Sequence, residues 1–267
     1  MIKEMSFWKW LGLLVAALFL AMLLYGFAGM VEFIPHGWLY CLVCLAVSGL
    51  MIILYAVFVK VFESQPAQDL PLWKWSAHTV AGLGMGLGYF CVVTGILALA
   101  GAYKVTGVNV PGLELLCSFC FFSIVAVGEE ILFRGVLFRW LDEKWGFWVA
   151  ILVSALVFGL IHITNPGGTL WSSIAIAIEA GLLLGAAYKW SGTLWAPIGI
   201  HWAWNFSQGN LFGFLVSGQE AGESLLQAQI DGADWLTGGA FGAEASVVAV
   251  VVGLAVSVWL IWRIYRK

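Results

Sequence analysis

The chain has 267 residues, of which 62% are hydrophobic and only 10% charged, and its formal net charge is −3. Soluble domains average roughly 25% charged residues, so this chain has too few ionisable groups to coat a water-facing surface, and lipid must cover much of it. Its 12 basic residues form no patch, which argues against a nucleic-acid partner.

From the N-terminus, Lys3 and Lys9 precede an apolar stretch from Leu11 to Met30. At 20 residues this stretch is longer than the roughly 7–15 residues of a signal-peptide core. No small-x-small cleavage site follows, so it reads as a first anchor. A spanning helix needs about 20 mostly apolar residues. On that measure, spans are predicted over 8–30, 38–61, 77–101, 112–140, 146–163, 170–188, 194–206 and 245–262. The expectation is an all-α membrane protein, a single domain over 1–267 with about eight transmembrane helices and a polar intramembrane cavity.

The second and fourth spans carry Cys-x-x-Cys pairs, Cys41/Cys44 and Cys117/Cys120, and Cys91 is the fifth cysteine. Both pairs sit in apolar runs without the polar turn of a zinc knuckle, so they read as packed or lipid-facing thiols. In the third span Gly82, Gly84, Gly86 and Gly88 lack the Lys-Ser/Thr of a phosphate loop, and close helix packing explains them. Gly181 and Gly185 in the sixth span give a second packing signal. Glu179 is a lone carboxylate there, with no role assigned. The seventh span is short, bounded by Gly192 and Pro197, and is expected to enter obliquely or partly unwound. Residues 207–243 hold Glu220, Glu223, Asp231 and Asp234 with no Lys or Arg, and read as an acidic extramembrane loop.

Basic residues at the span ends give an orientation. With the N-terminus inside, Lys3, Lys9, Lys60, Lys74, Arg139, Lys144, Lys189, Arg263, Arg266 and Lys267 fall on the inner side and Lys104 alone on the outer. That bias follows the positive-inside rule and returns the C-terminus to the inside.

Ionisable residues inside spans cost roughly 2.5–3.5 kcal/mol near a helix centre and usually mark function. The fourth span holds Glu129, Glu130 and Arg134; the fifth ends with His162; the seventh holds His201 and Asn205. Glu130 and Arg134 are i,i+4 and can pair, while Glu129 is turned about 100° away and stays free to accept a proton. His201 and Asn205 are also i,i+4 and share a face. A carboxylate, two imidazoles and an amide converging on one cavity suit amide hydrolysis by an activated water. Bland readings stand beside this one: a structural ion pair, a capping His162, and interhelical hydrogen-bond glue from His201 and Asn205. Neither H-E-x-x-H nor G-x-S-x-G occurs, and no paired aspartates lie in the spans. No cofactor is expected, with zinc held by the Glu and His residues kept as a minority reading. Depth poses a difficulty. On straight helices His162 lies about 27 Å from Lys144, Glu129 nearer mid-depth and His201 closer to the inner side. They meet only if spans tilt or the seventh begins deep in the protein.

The patterns E-E-x-x-x-R at Glu129, Glu130 and Arg134, F-x-x-x-H at Phe158 and His162, and H-x-x-x-N at His201 and Asn205 resemble the CPBP family. These are the CAAX proteases and bacteriocin-processing enzymes, also called the ABI family. The likeness is specific from about Phe121 to Phe206, within a core of about 112–206, and points to bacterial members. It implies an eight-helix intramembrane glutamic endopeptidase. Glu129 and His162 would activate water, His201 and Asn205 would hold the oxyanion, and Glu130, Arg134 and Phe158 would support them. Glu179 departs from the apolar residue expected at its position. The implied substrate is a membrane-associated protein or peptide, through CAAX-type processing or bacteriocin maturation and self-immunity, and the implied place is a bacterial cytoplasmic membrane. The competing expectation is a non-enzymatic transporter or an immunity or binding protein that uses the same polar cavity.

Overall fold

A computed structural model of the chain describes residues 6–31 and 33–266. Lys3 and Lys267 of the charge count, and Glu32, which the sequence places near a span end, lie outside the described residues. The helices are α1 (Phe7–Val31), α2 (Trp38–Phe62), α3 (Trp75–Leu99), α4 (Leu113–Trp145), α5 (Phe147–Thr164), α6 (Leu170–Ser191), α7 (Trp195–Phe206), α8 (Asp234–Thr237) and α9 (Val247–Tyr265). Two strands, β1 (Tyr103–Val108) and β2 (Leu226–Ile230), complete the element order. Among the described residues, seven helices are long and apolar enough to cross a membrane: α1 to α6 and α9. The all-α membrane bundle is therefore present, and the seventh of the eight predicted spans is not among these seven helices.

That span is α7, a helix of 12 residues prolonged by a π turn over Ser207–Leu211. Its start is fixed by the chain before it. Gly192 takes a left-handed φ of 67° and ends α6. The Leu194 N–H then donates to Asp69 O at 2.9 Å, and Trp195 Nε1 to Pro71 O at 3.2 Å. Pro197 falls in the first turn, where a missing N–H costs nothing.

Small residues then let α7 lie backbone to backbone on α3. A Cβ on Gly82 would meet Ala196 O at 2.4 Å, one on Gly86 would meet Ile200 O at 2.2 Å, and one on Gly199 would meet Thr79 O at 2.4 Å. Gly84 and Gly88 face open space. The third-span glycines thus divide by helical face, with alternate members making the seam.

Side-chain contacts gather the helix ends into two groups. At one end Arg139 forks onto Glu63, Lys189 meets Asp142 at 2.6 Å, and Lys144 lies over the Trp10 ring. The Tyr55 and Tyr188 hydroxyls donate to Asp69 Oδ2 at 2.8 and 3.0 Å. At the other end β1 and β2 pair antiparallel from Tyr103 opposite Ile230 to Val108 opposite Leu226, with a register shift between Val105 and Gly107. The acidic segment expected as a plain loop is built around this ribbon. Asn210 Nδ2 donates to Ala221 O and Glu223 O, Asn165 Nδ2 donates to Ser217 O, and Gly218 N donates to Phe241 O at 2.8 Å. Gly218 has a φ of 80° and approaches Pro166 O so closely that a Cβ would lie 1.8 Å from it.

Candidate active site

The site is built on the hairpin α4–Gly146–α5. Gly146 takes a φ of 85° and reverses the chain between helices that differ in direction. Glu130 lies sixteen residues before Gly146 and His162 sixteen after it, so each stands about 24 Å from the turn at 1.5 Å per residue. Arg134 and Phe158 are likewise matched at twelve residues on either side. The expected depth mismatch between α4 and α5 therefore does not arise; the two arms carry their polar residues at the same height.

Between Ile131 and Phe138 α4 widens into a π segment. Here Gly135 gives the Tyr55 ring room, since a Cβ would lie 2.9 Å from Tyr55 Cζ. Glu130 and Arg134 are both fully buried. Arg134 Nη1 donates to Glu130 Oε1 at 2.7 Å, and Nη2 faces the Ala180 and Gly181 carbonyls at 3.3 and 3.2 Å. These carbonyls belong to a second π segment, Ala177–Leu182 of α6, whose widened turns leave backbone oxygens facing outward. The guanidinium also sits 4.5 Å from the centre of the Phe158 ring.

His201 joins this pair from α7. Its Nδ1 lies 2.9 Å from the same Glu130 Oε1. A carboxylate only accepts, so Nδ1 carries the proton and Nε2 is the outward nitrogen. That Nε2 stands 3.9 Å from Glu129 Oε2, too far for a direct hydrogen bond. His162 Nδ1 lies 2.7 Å from the Phe158 carbonyl and donates to it, which again leaves Nε2 open. Phe158 links the parts: its ring centre is 4.9 Å from that of His162, 6.0 Å from that of His201 and 5.0 Å from that of Phe133. Asn205 is buried on the His201 face of α7 and makes no side-chain hydrogen bond among the described residues.

Glu129 differs from its neighbour in making no hydrogen bond among the described residues, whereas Glu130 is held through Oε1 by Arg134 and His201. The Oε2 atoms of both glutamates are buried without a hydrogen-bond partner. The Glu129 side chain borders a cavity of about 100 Å³ whose other walls include Leu24, Tyr25 and Ala28 of α1, Met51 of α2, and Gly128 and Leu132 of α4. Among the described residues no three His, Cys, Asp or Glu side chains are grouped as a metal shell.

Three residues near these were not singled out by sequence. The Tyr89 hydroxyl is 2.8 Å from Glu179 Oε2 and 2.7 Å from Ala249 O, and its ring stacks on Trp204 with centres 3.9 Å apart. Glu179, left without a role above, is thus held by α3 and α9 rather than by a neighbour in sequence. Gln208 falls at i+7 from His201 and extends the His201–Asn205 stripe, a signal the spacing does carry. Glu244, just before α9, is buried among Ser217, Gln208 and His162, and burial pushes its carboxyl above the usual carboxylate range. Only folding brings Glu244 there; no local pattern marks it.

Comparison with known proteins adds a family. Residues 111–207 match a family model described as type II CAAX prenyl endopeptidase Rce1-like. A curated relative, the uncharacterized protein YpbD of Bacillus subtilis (strain 168), is 24% identical over 167 residues, covering 58% of this chain and 80% of its own. No solved structure matches. The matched stretch runs from the start of α4 to the end of α7 and contains every motif residue described above. It is a protease family embedded in membranes, and the helical bundle agrees with that setting. Over residues 111–207 this chain is similar to the type II CAAX prenyl endopeptidase Rce1-like family.

Proposed function

We propose that the protein is an intramembrane endopeptidase that cuts a peptide bond of a membrane-associated protein or peptide with a water activated by Glu129 and His162. The observation that carries this reading is that Glu129 makes no hydrogen bond among the described residues and keeps a buried, open Oε2, beside a Glu130 whose Oε1 is shared by Arg134 and His201. Glu129 and the open Nε2 of His162 hold the water, and Glu129 takes its proton as oxygen adds to the carbonyl carbon. His201, through Nε2, and the Asn205 amide donate hydrogen bonds to the developing oxyanion. Glu130 and Arg134 hold His201 in place, and Phe158 fixes His162 through its carbonyl. When the tetrahedral adduct collapses, the carbon–nitrogen bond breaks and Glu129 returns the proton to the leaving amine.

The apolar cavity beside Glu129 supports a substrate that arrives with an apolar flank, as CAAX-type tails and membrane-active bacteriocin precursors both do. The basic-residue bias supports a multi-pass protein of a bacterial cytoplasmic membrane with both termini inside.

Cells carrying the wild-type protein or Glu129→Gln are compared by mass spectrometry of membrane-derived peptides. Products are expected to fall by about 10²–10⁴ in the variant, the usual worth of a general base, and by roughly 10²–10³ in Asn205→Ala, with membrane levels unchanged. Equal peptide profiles in wild type and Glu129→Gln would remove the endopeptidase reading and favour a transporter or binding protein.

A further inference from the structure

The two Cys-x-x-Cys pairs, which the proposed reaction does not use, meet across one helix seam. Helices α2 and α4 run parallel, and their contacts descend in register: Cys41 with Cys117, Ser48 with Ser123, Met51 with Gly128, and Tyr55 with Gly135. Cys41 Sγ and Cys117 Sγ are 3.6 Å apart, both buried and both free thiols. Ser48 Oγ and Ser123 Oγ, 2.7 Å apart, hold the next level. The pair sits one turn below the chain between α1 and α2, where Cys117 Sγ also faces Gly37 O at 3.7 Å. A disulfide needs the sulfurs to close to about 2.0 Å, which is a small side-chain rotation from the observed contact.

We propose that Cys41 and Cys117 form a reversible disulfide that clamps α2 to α4 at the ribbon end. Two levels lower on the same seam, Met51 and Gly128 wall the cavity in front of Glu129, so the link fixes that wall. On the proposed orientation the pair lies toward the outer face, the side on which disulfides form and persist. In the cell the oxidant is a disulfide-bearing thiol oxidant. One cysteine thiolate attacks its sulfur–sulfur bond and releases the first oxidant thiol. The second cysteine displaces the other, so one disulfide passes to the protein and two protons and two electrons pass to the oxidant. Cleavage by this protein is not needed for the link to form, so the two readings fail separately.

The test uses the purified full-length protein in detergent micelles with diamide, a permeant azo compound that accepts the two electrons and two protons. After denaturation and alkylation, peptide mass mapping is expected to find all five cysteines alkylated in the reduced protein. After diamide, a linked Cys41–Cys117 pair about 2 Da lighter than the two thiols is expected. Exposed Cys91 remains alkylated in both. The linked form is expected to unfold at a higher temperature, and a thiol reductant to reverse both changes. Cys41→Ser is expected to abolish the linked peptide. Five alkylated cysteines after diamide, a link joining other cysteines, or an unchanged unfolding temperature with the link in place would each overturn the proposal.

Discussion

Replacing Arg134 with methionine removes a charge from the most enclosed part of the protein while keeping most of the side chain's length. Arg134 and Glu130 have no solvent exposure, so the lost guanidinium leaves a carboxylate that water cannot reach. Breaking a buried pair by deleting one partner costs about 3–5 kcal/mol. The Ala180 and Gly181 carbonyls also lose their donor, which pushes toward the upper end of that range. Against this, His201 Nδ1 stays 2.9 Å from Glu130 and offers partial compensation, which pulls toward the lower end. The folding equilibrium is therefore expected to fall by roughly two to three and a half powers of ten, at about 1.4 kcal/mol per tenfold. The assay is reversible unfolding in mixed micelles of increasing denaturing detergent. The double variant Glu130→Leu/Arg134→Met is expected to regain most of the loss, because an apolar pair replaces an ion pair without a stranded charge. It should still not cleave, since His201 has lost the acceptor on Nδ1. A loss below about 1 kcal/mol for Arg134→Met, or a double variant no more stable than the single one, would refute the mutual compensation argued here.

Two further perturbations test the fold around the site. Gly86→Ala places a methyl 2.2 Å from Ile200 O and is expected to cost about 1–3 kcal/mol as overpacking, whereas Gly84→Ala faces open space and leaves the unfolding midpoint unchanged; equal effects would deny the α3–α7 seam. Burial pushes the Asp69 carboxyl above the usual carboxylate range, against the pull of Arg139 and the Tyr55 and Tyr188 hydroxyls. The folded protein therefore keeps this proton where the unfolded chain has lost it, and stability falls as pH rises from about 3.9, the ordinary Asp value, through the raised folded one. Melting temperatures of wild type and Asp69→Asn between acidic and neutral pH are expected to diverge against the wild type as pH rises; a gap that is constant, or that moves in its favour, contradicts this.

Spacing alone made much of the site legible. The i,i+4 rule paired Glu130 with Arg134 and put His201 and Asn205 on one face, because both relations are local to a helix. The relative depth of Glu129 and His162 was left open for a simple reason: counting from Lys144 along one arm does not use the fact that α4 and α5 are hinged at Gly146 and rise together. The start of α7 was placed within one residue, but its full length was not legible, because the π turn over Ser207–Leu211 that prolongs it fell in the segment read as a polar loop. The β ribbon was hidden because β1 and β2 are separated by four helices and each is too short to announce itself by alternation. Glu244 and Tyr89 reach the buried polar groups only through tertiary packing.

The equal arms of the α4–α5 hairpin tie the lengths of two stretches of sequence together. One residue gained in either arm, anywhere between the motif and the reversal, would lift one partner by about 1.5 Å and swing it about 100° around its axis. An insertion of that kind survives only when the opposite arm changes in step, or when a wide turn such as the one at Ile131–Phe138 absorbs the surplus. Length variants among homologous chains are thus expected to come in matched pairs here, and a lone insertion should mark a protein that has given up the chemistry.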